Sequence, residues 1–335
     1  MTLKMLYTSA MKKAFITGIT GQDGHHLSKL LLSKGYEVHG LVNGQRNSRE
    51  ESFISMFPEV KIHRGDLTDL ASLISVVSAI NPDEVYNLGA ISFVGMSFQQ
   101  PELTSNITGL GALRILEALR NLDLAGHSKF YQASSSEMFG KVHETPQTEL
   151  TTFHPRSPYG VAKVFAHYMT QNYREAYGMH ASSGILFNHE GEYRGHEFVT
   201  RKITSTIAKI KYGKATEIKL GNIAPQRDWG YAGDYVEAMH LMLQHETPDD
   251  YVIATGETHS VEEFLDLAFE IAEIPNGKER FLKNDPKFNR PAEVDLLIGD
   301  ASKAKSILGW EPKVKFTDLA RLMMENDLRI EAALK

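Results

Sequence analysis

Three glycines set between a strand and a helix constrain this chain more than any other feature. An apolar run, Lys13 to Thr17, leads into Gly18-Ile-Thr-Gly21-Gln-Asp-Gly24, after which Leu27, Leu30 and Leu31 recur at helical spacing. The pattern is G-x-x-G-x-x-G. Glycine permits the tight turn and lets backbone N–H groups at a helix N-terminus approach a pyrophosphate. Glycines also serve ordinary turns, so it is the strand–loop–helix setting that favours a dinucleotide site.

The same rhythm continues. Strand-length apolar runs at Tyr36 to Val42, Val60 to His63, Glu84 to Leu88, Lys129 to Ala133 and Ser183 to Phe187 alternate with helical patterns at Leu70 to Ile80, Leu110 to Leu122 and Tyr159 to Tyr177. That alternation predicts an α/β fold: a doubly wound, Rossmann-type parallel sheet with right-handed crossovers. After Phe187 the rhythm loosens into polar loops, short helices and a strand near Tyr251 to Ala254. We expect an extension at residues 1–10, a dinucleotide-binding domain over 11–187 that a strand near 250–256 rejoins, and a smaller, discontinuous α+β substrate domain over 188–335. The second domain would sit over the carboxyl edge of the sheet, where open α/β folds bind ligands.

Composition narrows the partners. With 36 basic and 42 acidic side chains the net charge is −6, which argues against nucleic acid or an anionic membrane as the main partner. No apolar run reaches the length of a membrane span. The chain has no cysteine, hence no disulfide framework or thiolate metal site, and its 14 histidines contain no H-E-x-x-H pattern. The expectation is a cytoplasmic protein without a bound metal.

The second strand ends near Val42, where an NAD enzyme places a carboxylate against the ribose 2′-OH. Here Val42-Asn-Gly-Gln-Arg-Asn-Ser48 offers none, and Arg46 and Arg49 favour a 2′-phosphate, hence NADP. The bland alternative is two arginines solvating a loop. Asp66, after the third strand, either accepts a hydrogen bond from the adenine amino group or caps the next turn. Tyr159 and Lys163 stand four residues apart on one helix face, and a cation near a phenol lowers its pKa toward working pH. Ahead of them runs Ala133-Ser-Ser-Ser-Glu137. There a hydroxyl can hold a reacting oxygen and a carboxylate can move a proton.

These residues carry a resemblance. The chain resembles the GDP-mannose 4,6-dehydratase family of extended short-chain dehydrogenases/reductases from about Lys12 to its last helix. Matching segments include Thr17 to Gly24, Gly65 to Asp69, Tyr86 to Ala90, Phe130 to Ser134, Pro155 to Gly160, Gly184 to Glu190, Phe198 to Lys202, Arg227 to Gly230, Ala254 to Gly256 and Arg290 to Asp295. The resemblance implies an internal redox cycle on a GDP-linked sugar with NADP as cofactor. Ser135, Glu137, Tyr159 and Lys163 are its catalytic residues. Around the dinucleotide it places Gly18, Thr20, Gly21, Gln22, Asp23, Gly24, Asn43, Arg46, Asp66, Leu67, Leu88, Ala90, Asn188 and His189 together with Tyr159 and Lys163. Around the nucleotide sugar it places Ser92, Ser135, Glu137, Asn188, Val199, Thr200, Lys202, Leu220, Gly221, Asn222, Arg227, Arg290 and Glu293. A homodimer or homotetramer is the expected assembly.

The chain also departs from the family pattern. Ser135 stands for a common Thr, Ile91 for a Gln, His26 for a Tyr, and Glu190-Gly-Glu-Tyr-Arg-Gly195 for a Ser-Pro-Arg-Arg segment. The paired arginines usual after the second strand are missing. These changes suggest a sugar pocket open to a GDP-manno-heptose as well as GDP-mannose. A GDP-4-keto-6-deoxy-sugar reductase or an epimerase shares much of the site, and a non-catalytic NADP-binding sensor is the reading from another class.

Overall fold

The computed structural model describes residues 11–288, 294 and 296–334. The extension expected at 1–10, and the proposed ligand contacts Arg290 and Glu293, lie outside them. Seven strands form the central sheet: β1 (Lys13–Thr17), β2 (Glu37–Val42), β3 (Lys61–Arg64), β4 (Glu84–Asn87), β5 (Lys129–Ser135), β6 (Ala181–Leu186) and β7 (Asp250–Ile253). All pairs are parallel, in the order β7-β6-β5-β4-β1-β2-β3. The order reverses at β1, which pairs Ala14 with Val38 on one side and with Glu84 on the other. Ligands of such sheets bind in the crevice outside this reversal.

The strands alternate their side chains between two cores, as the pleat requires. On one face Ala14, Ile16, Tyr86 and Tyr131 pack with Leu27 and Leu31 of α1 (Gln22–Ser33). On the other, Phe15, Val85 and Phe130 meet Val76 and Val77 of α3 (Leu70–Ile80) and Ile115 and Leu116 of α5 (Leu110–Asn121). Besides a single turn at Pro101–Thr104, two further helices precede α5. One is α2 (Ser48–Met56), which the sequence pattern does not reveal because Phe53 is its one apolar side chain in the core; the other is α4 (Val94–Gln99). The observed β5 runs two residues beyond Ala133 and carries Ser134 and Ser135 at its carboxyl end.

After β5 comes α6 (Pro158–Tyr177), well marked at both ends: Ser157 caps it through the Gly160 amide, Pro158 begins it, and Gly178 ends it in the left-handed region. Beyond β6 a third core gathers Ile203 and Ile207 of α7 (Val199–Lys211), Phe264 and Leu265 of α9 (Val261–Ile271), and Leu319 and Met323 of α10 (Phe316–Ala333). Between them α8 (Ala232–Gln244) returns to the sheet and packs Tyr235, Met239 and Met242 into the first core.

Candidate active site

The glycine turn bridges β1 and α1 at the order reversal. Gly18 adopts φ +68°, and a Cβ there would lie 2.9 Å from the Gly89 amide nitrogen. A Cβ on Gly24 would lie 2.1 Å from the Ile19 carbonyl oxygen. Gly21 caps α1 without a side chain, which leaves the helix N-terminus to backbone amides, a favourable setting for a pyrophosphate. Beside the turn opens a cavity of about 280 Å³ whose lining includes Gly18, Thr20, Asn43, Asp66, Leu67 and Ala90. Asp66 makes the turn contact the sequence allowed and also lines the cavity. Its Oδ1 accepts from the Thr68 amide and hydroxyl.

Other expected cofactor residues are placed differently. Arg46 is more than half exposed and pairs with Glu51 at 3.6 Å, while Arg49 is exposed; neither lines the cavity. Leu88 packs against the first core. Asp23 turns to His189: Nε2 lies 2.9 Å from its carboxylate, and Nδ1 lies 2.8 Å from the Phe187 carbonyl. Despite burial, that contact holds the Asp23 carboxyl below its usual range and lifts the His189 pKa. Gln22 adds a bond to the His189 carbonyl at 3.0 Å. The glycine turn is thus gripped by the short strand Asn188–Glu190, which also carries Asn188.

At the end of β5 the catalytic candidates come together. Ser136, Glu137 and Met138 form a single 3₁₀ turn whose Glu137 amide donates to Ser135 Oγ at 3.3 Å. Gly160 of α6 packs so closely on that turn that a Cβ would stand 2.8 Å from the Glu137 carbonyl oxygen. The Tyr159 phenol shares a hydrogen bond with the Ser135 side chain. Its pKa is pushed up to about 12, by burial first and then by the negative charge of Glu137, against that bond. Lys163 donates to the Ala133 carbonyl at 2.6 Å, its Nζ lying 5.7 Å from the Tyr159 ring centre. Burial lowers its pKa to about 8. The sequence pointed to a nearby cation lowering the phenol's pKa, and in this structure burial outweighs that effect.

A chain of buried hydrogen bonds ties this corner to the glycine turn. The Gly89 amide donates to Thr17 Oγ1, Thr17 donates to Asn87, and Asn87 donates to Gln132 at 2.8 Å. Gln132 donates to the Ala133 carbonyl that also receives Lys163. Behind it Ser134 meets His167 at 3.0 Å.

Of the sugar-side candidates, Ser135, Glu137 and Asn188 are at this edge and Ser92 is exposed nearby. Thr200 is fully buried, with its hydroxyl given to Glu190, and Leu220 packs in the third core, so neither side chain is presented as expected. Val199 packs against the same core. Lys202 loses basicity through burial. Arg227 is buried and donates to the Gln226 carbonyl, and Asn222, next to Gly221, accepts from the Ala224 amide. Ile91, expected toward the sugar, lines the dinucleotide cavity instead. The loop Gly191–Gly195 brings one residue that sequence reasoning missed. Arg194 pairs with Glu190 at 2.9 Å and lies over the Phe198 ring, and its charge acts on Tyr159. Among the described residues no group of His, Asp or Glu is placed to hold a metal ion.

A dinucleotide turn at the reversal of a parallel sheet, with a tyrosine and lysine one helical turn apart at its carboxyl edge, defines an enzyme of the extended short-chain dehydrogenase/reductase class. The chain belongs to the GDP-mannose 4,6-dehydratase family, which it matches over residues 15–323. The GDP-mannose 4,6 dehydratase 1 of Arabidopsis thaliana is 52% identical over 329 residues, covering 95% of this chain and 90% of its own. Among solved structures, Thermus thermophilus UDP-glucose 4-epimerase, in complex with NAD, is 28% identical with a TM-score of 0.81, over 94% of this chain and 98% of that one. The RMD protein of Pseudomonas aeruginosa, complexed with NADPH, is 25% identical with a TM-score of 0.78, over 96% and 98%.

Proposed function

We propose that this protein is a GDP-mannose 4,6-dehydratase, a hydro-lyase that forms the GDP-linked 4-keto-6-deoxy sugar. The reading is carried by the family match over residues 15–323, and it is supported by Glu137, whose charge acts on Tyr159, because oxidation of an alcohol needs only the Tyr159–Lys163 pair. The chemistry that a bound nicotinamide dinucleotide would supply is a hydride acceptor at C4 and a hydride donor at C6. Gly18, Thr20 and the α1 N-terminus would hold its phosphates and Asp66 its adenosine end. Tyr159 takes the O4 proton while Ser135 holds that oxygen. The C4 ketone acidifies C5–H, and Glu137 removes that proton. Loss of the C6 hydroxyl as water, with the proton supplied from Glu137, leaves an alkene; hydride would return to C6 while Tyr159 gives up at C5 the proton it took from O4, which closes the balance. No net oxidation results.

Incubation with GDP-mannose tests this directly: mass spectrometry is expected to show loss of one water with no net change in reduced dinucleotide. Stoichiometric consumption of reduced cofactor would identify a reductase. Bound dinucleotide without turnover of any nucleotide sugar would identify a sensor. The GDP-manno-heptose alternative rests on Ser135 and the Gly191–Gly195 loop, since Ile91 faces the dinucleotide cavity.

An apolar stripe supports a homo-oligomer. Val161, Phe165 and Tyr168 are 55%, 39% and 53% exposed on one face of α6, and Phe165 lies against Gly109, next to the exposed Leu110. Such a stripe is costly in water and suits a second copy of the same helices. Phe165→Glu combined with Tyr168→Glu is expected to halve the mass read by light scattering after gel filtration, or to quarter it for a tetramer reduced to monomers.

A further inference from the structure

We infer that Glu50 reads the adenosine ribose of the dinucleotide and makes this enzyme select NAD over NADP. The inference rests on the dinucleotide-dependent reading above and concerns its cofactor. Among the described residues that line the 280 Å³ cavity, the charged ones are Glu50 and Asp66, both carboxylates. Asp66 has one oxygen committed to Thr68. Glu50 is 3% exposed, and the atoms around it fix its position. Asn47 caps α2 by accepting from the Glu50 amide at 3.1 Å, which sets Glu50 in the first turn just past the end of β2. Arg64, the last residue of β3, donates to Glu50 Oε1 at 2.6 Å. The other oxygen, Oε2, is buried without a hydrogen-bond partner among the described residues.

A buried carboxylate oxygen without a donor is unfavourable, and it is relieved by whatever hydroxyl enters the cavity. The free 2′,3′-diol of NAD carries such donors. A 2′-phosphate carries none at neutral pH beyond a minor protonated fraction, and it would bring negative charge against two carboxylates. The two cations that the sequence offered to a phosphate stand elsewhere: Arg46 pairs with Glu51 and Arg49 is exposed, while a third, the Arg64 guanidinium, is engaged by Glu50. The carboxylate that appeared to be missing after β2 is present eight residues beyond Val42, supplied by the first turn of α2.

Calorimetric titration of the full-length protein, stripped of nucleotide, with NAD⁺ and with NADP⁺ tests this without relying on turnover. NAD⁺ is expected to bind at least about tenfold more tightly, the difference one well-placed hydrogen bond supplies. Glu50→Gln, which keeps the shape and removes the charge, is expected to weaken NAD⁺ and narrow that ratio about tenfold. Tighter binding of NADP⁺ by the wild-type protein would overturn the inference. So would an unchanged ratio in Glu50→Gln, or a loss of NADP⁺ binding on Arg64→Gln, which would mean that Arg64 leaves Glu50 for a phosphate. Failure to bind either dinucleotide would overturn the enzyme reading itself, and this inference with it. Normal dehydration of GDP-mannose with preferred NADP⁺ would overturn the inference alone.

Discussion

Tyr159→Phe is expected to lower kcat on GDP-mannose by about a thousandfold, in the range that a positioned general base contributes. The change removes one oxygen from a buried ring whose packing otherwise stays, and the lost hydrogen bond to Ser135 costs stability only about 1 kcal/mol. Folding and nucleotide-sugar binding should therefore survive while chemistry stops, a split that steady-state kinetics beside a binding titration will reveal. A kcat within tenfold of wild type would mean that another group takes the O4 proton. The phenol, at about 12, is protonated at neutral pH in the unliganded protein, so it needs an added positive charge nearby to act as a base. Tyrosinate absorbance is accordingly expected to rise in wild type, and not in Tyr159→Phe, when oxidised dinucleotide is added at neutral pH.

Lys163→Met is expected to give a protein that is inactive and yet more stable. Burial lowers the lysine pKa from 10.5 to about 8, so between those values the unfolded chain binds the extra proton. The sign follows: wild-type stability rises with pH from about 8 to 10.5, and at pH 7 the folded state carries the full cost of a buried charge. Methionine fills similar space without that charge. The Ala133 carbonyl is not orphaned either, because Gln132 still donates to it at 3.0 Å. A gain of about 1–3 kcal/mol at pH 7 should appear in denaturant titrations, fading as the pH approaches 10.5. Activity should fall by about a hundredfold or more. A destabilised Lys163→Met would show that its ammonium is better compensated in the fold than burial implies.

Sequence spacing made much of this site legible where the relevant neighbours are local. The glycine turn spans seven residues, and Tyr159 and Lys163 are one helical turn apart, so their juxtaposition follows from the chain itself. The strand rhythm likewise conveyed the sheet, including the late return of β7. What stayed hidden depends on residues that meet only through the fold. Asp23 and His189 are 166 positions apart, and the Asn87–Gln132 bond crosses two strands. Glu50 was missed because the chain turns into α2 rather than running past the cavity, and a helix with a single core side chain leaves no periodic trace. The arginines of that segment carried a charge argument for a 2′-phosphate, and both are exposed outside the cavity lining. Ile91 was read toward the sugar because it replaces a Gln of the family pattern, and a substitution by itself does not say which ligand the position faces.

The run of hydrogen bonds from Thr17 through Asn87 and Gln132 to the Ala133 carbonyl gives the enzyme a fixed datum. The catalytic ammonium is indexed to the strand that begins the glycine turn, across three strands whose registers are locked by core packing on both faces. Loops above that line, Gly191–Gly195 among them, take no part in this run of bonds and are freer to be recut for another sugar, within the contacts that Glu192 and Tyr193 make with His26 and His25 of α1. A change at Asn87 or Gln132 has no such freedom, since it would shift the proton-handling residues and the cofactor turn out of alignment at the same stroke.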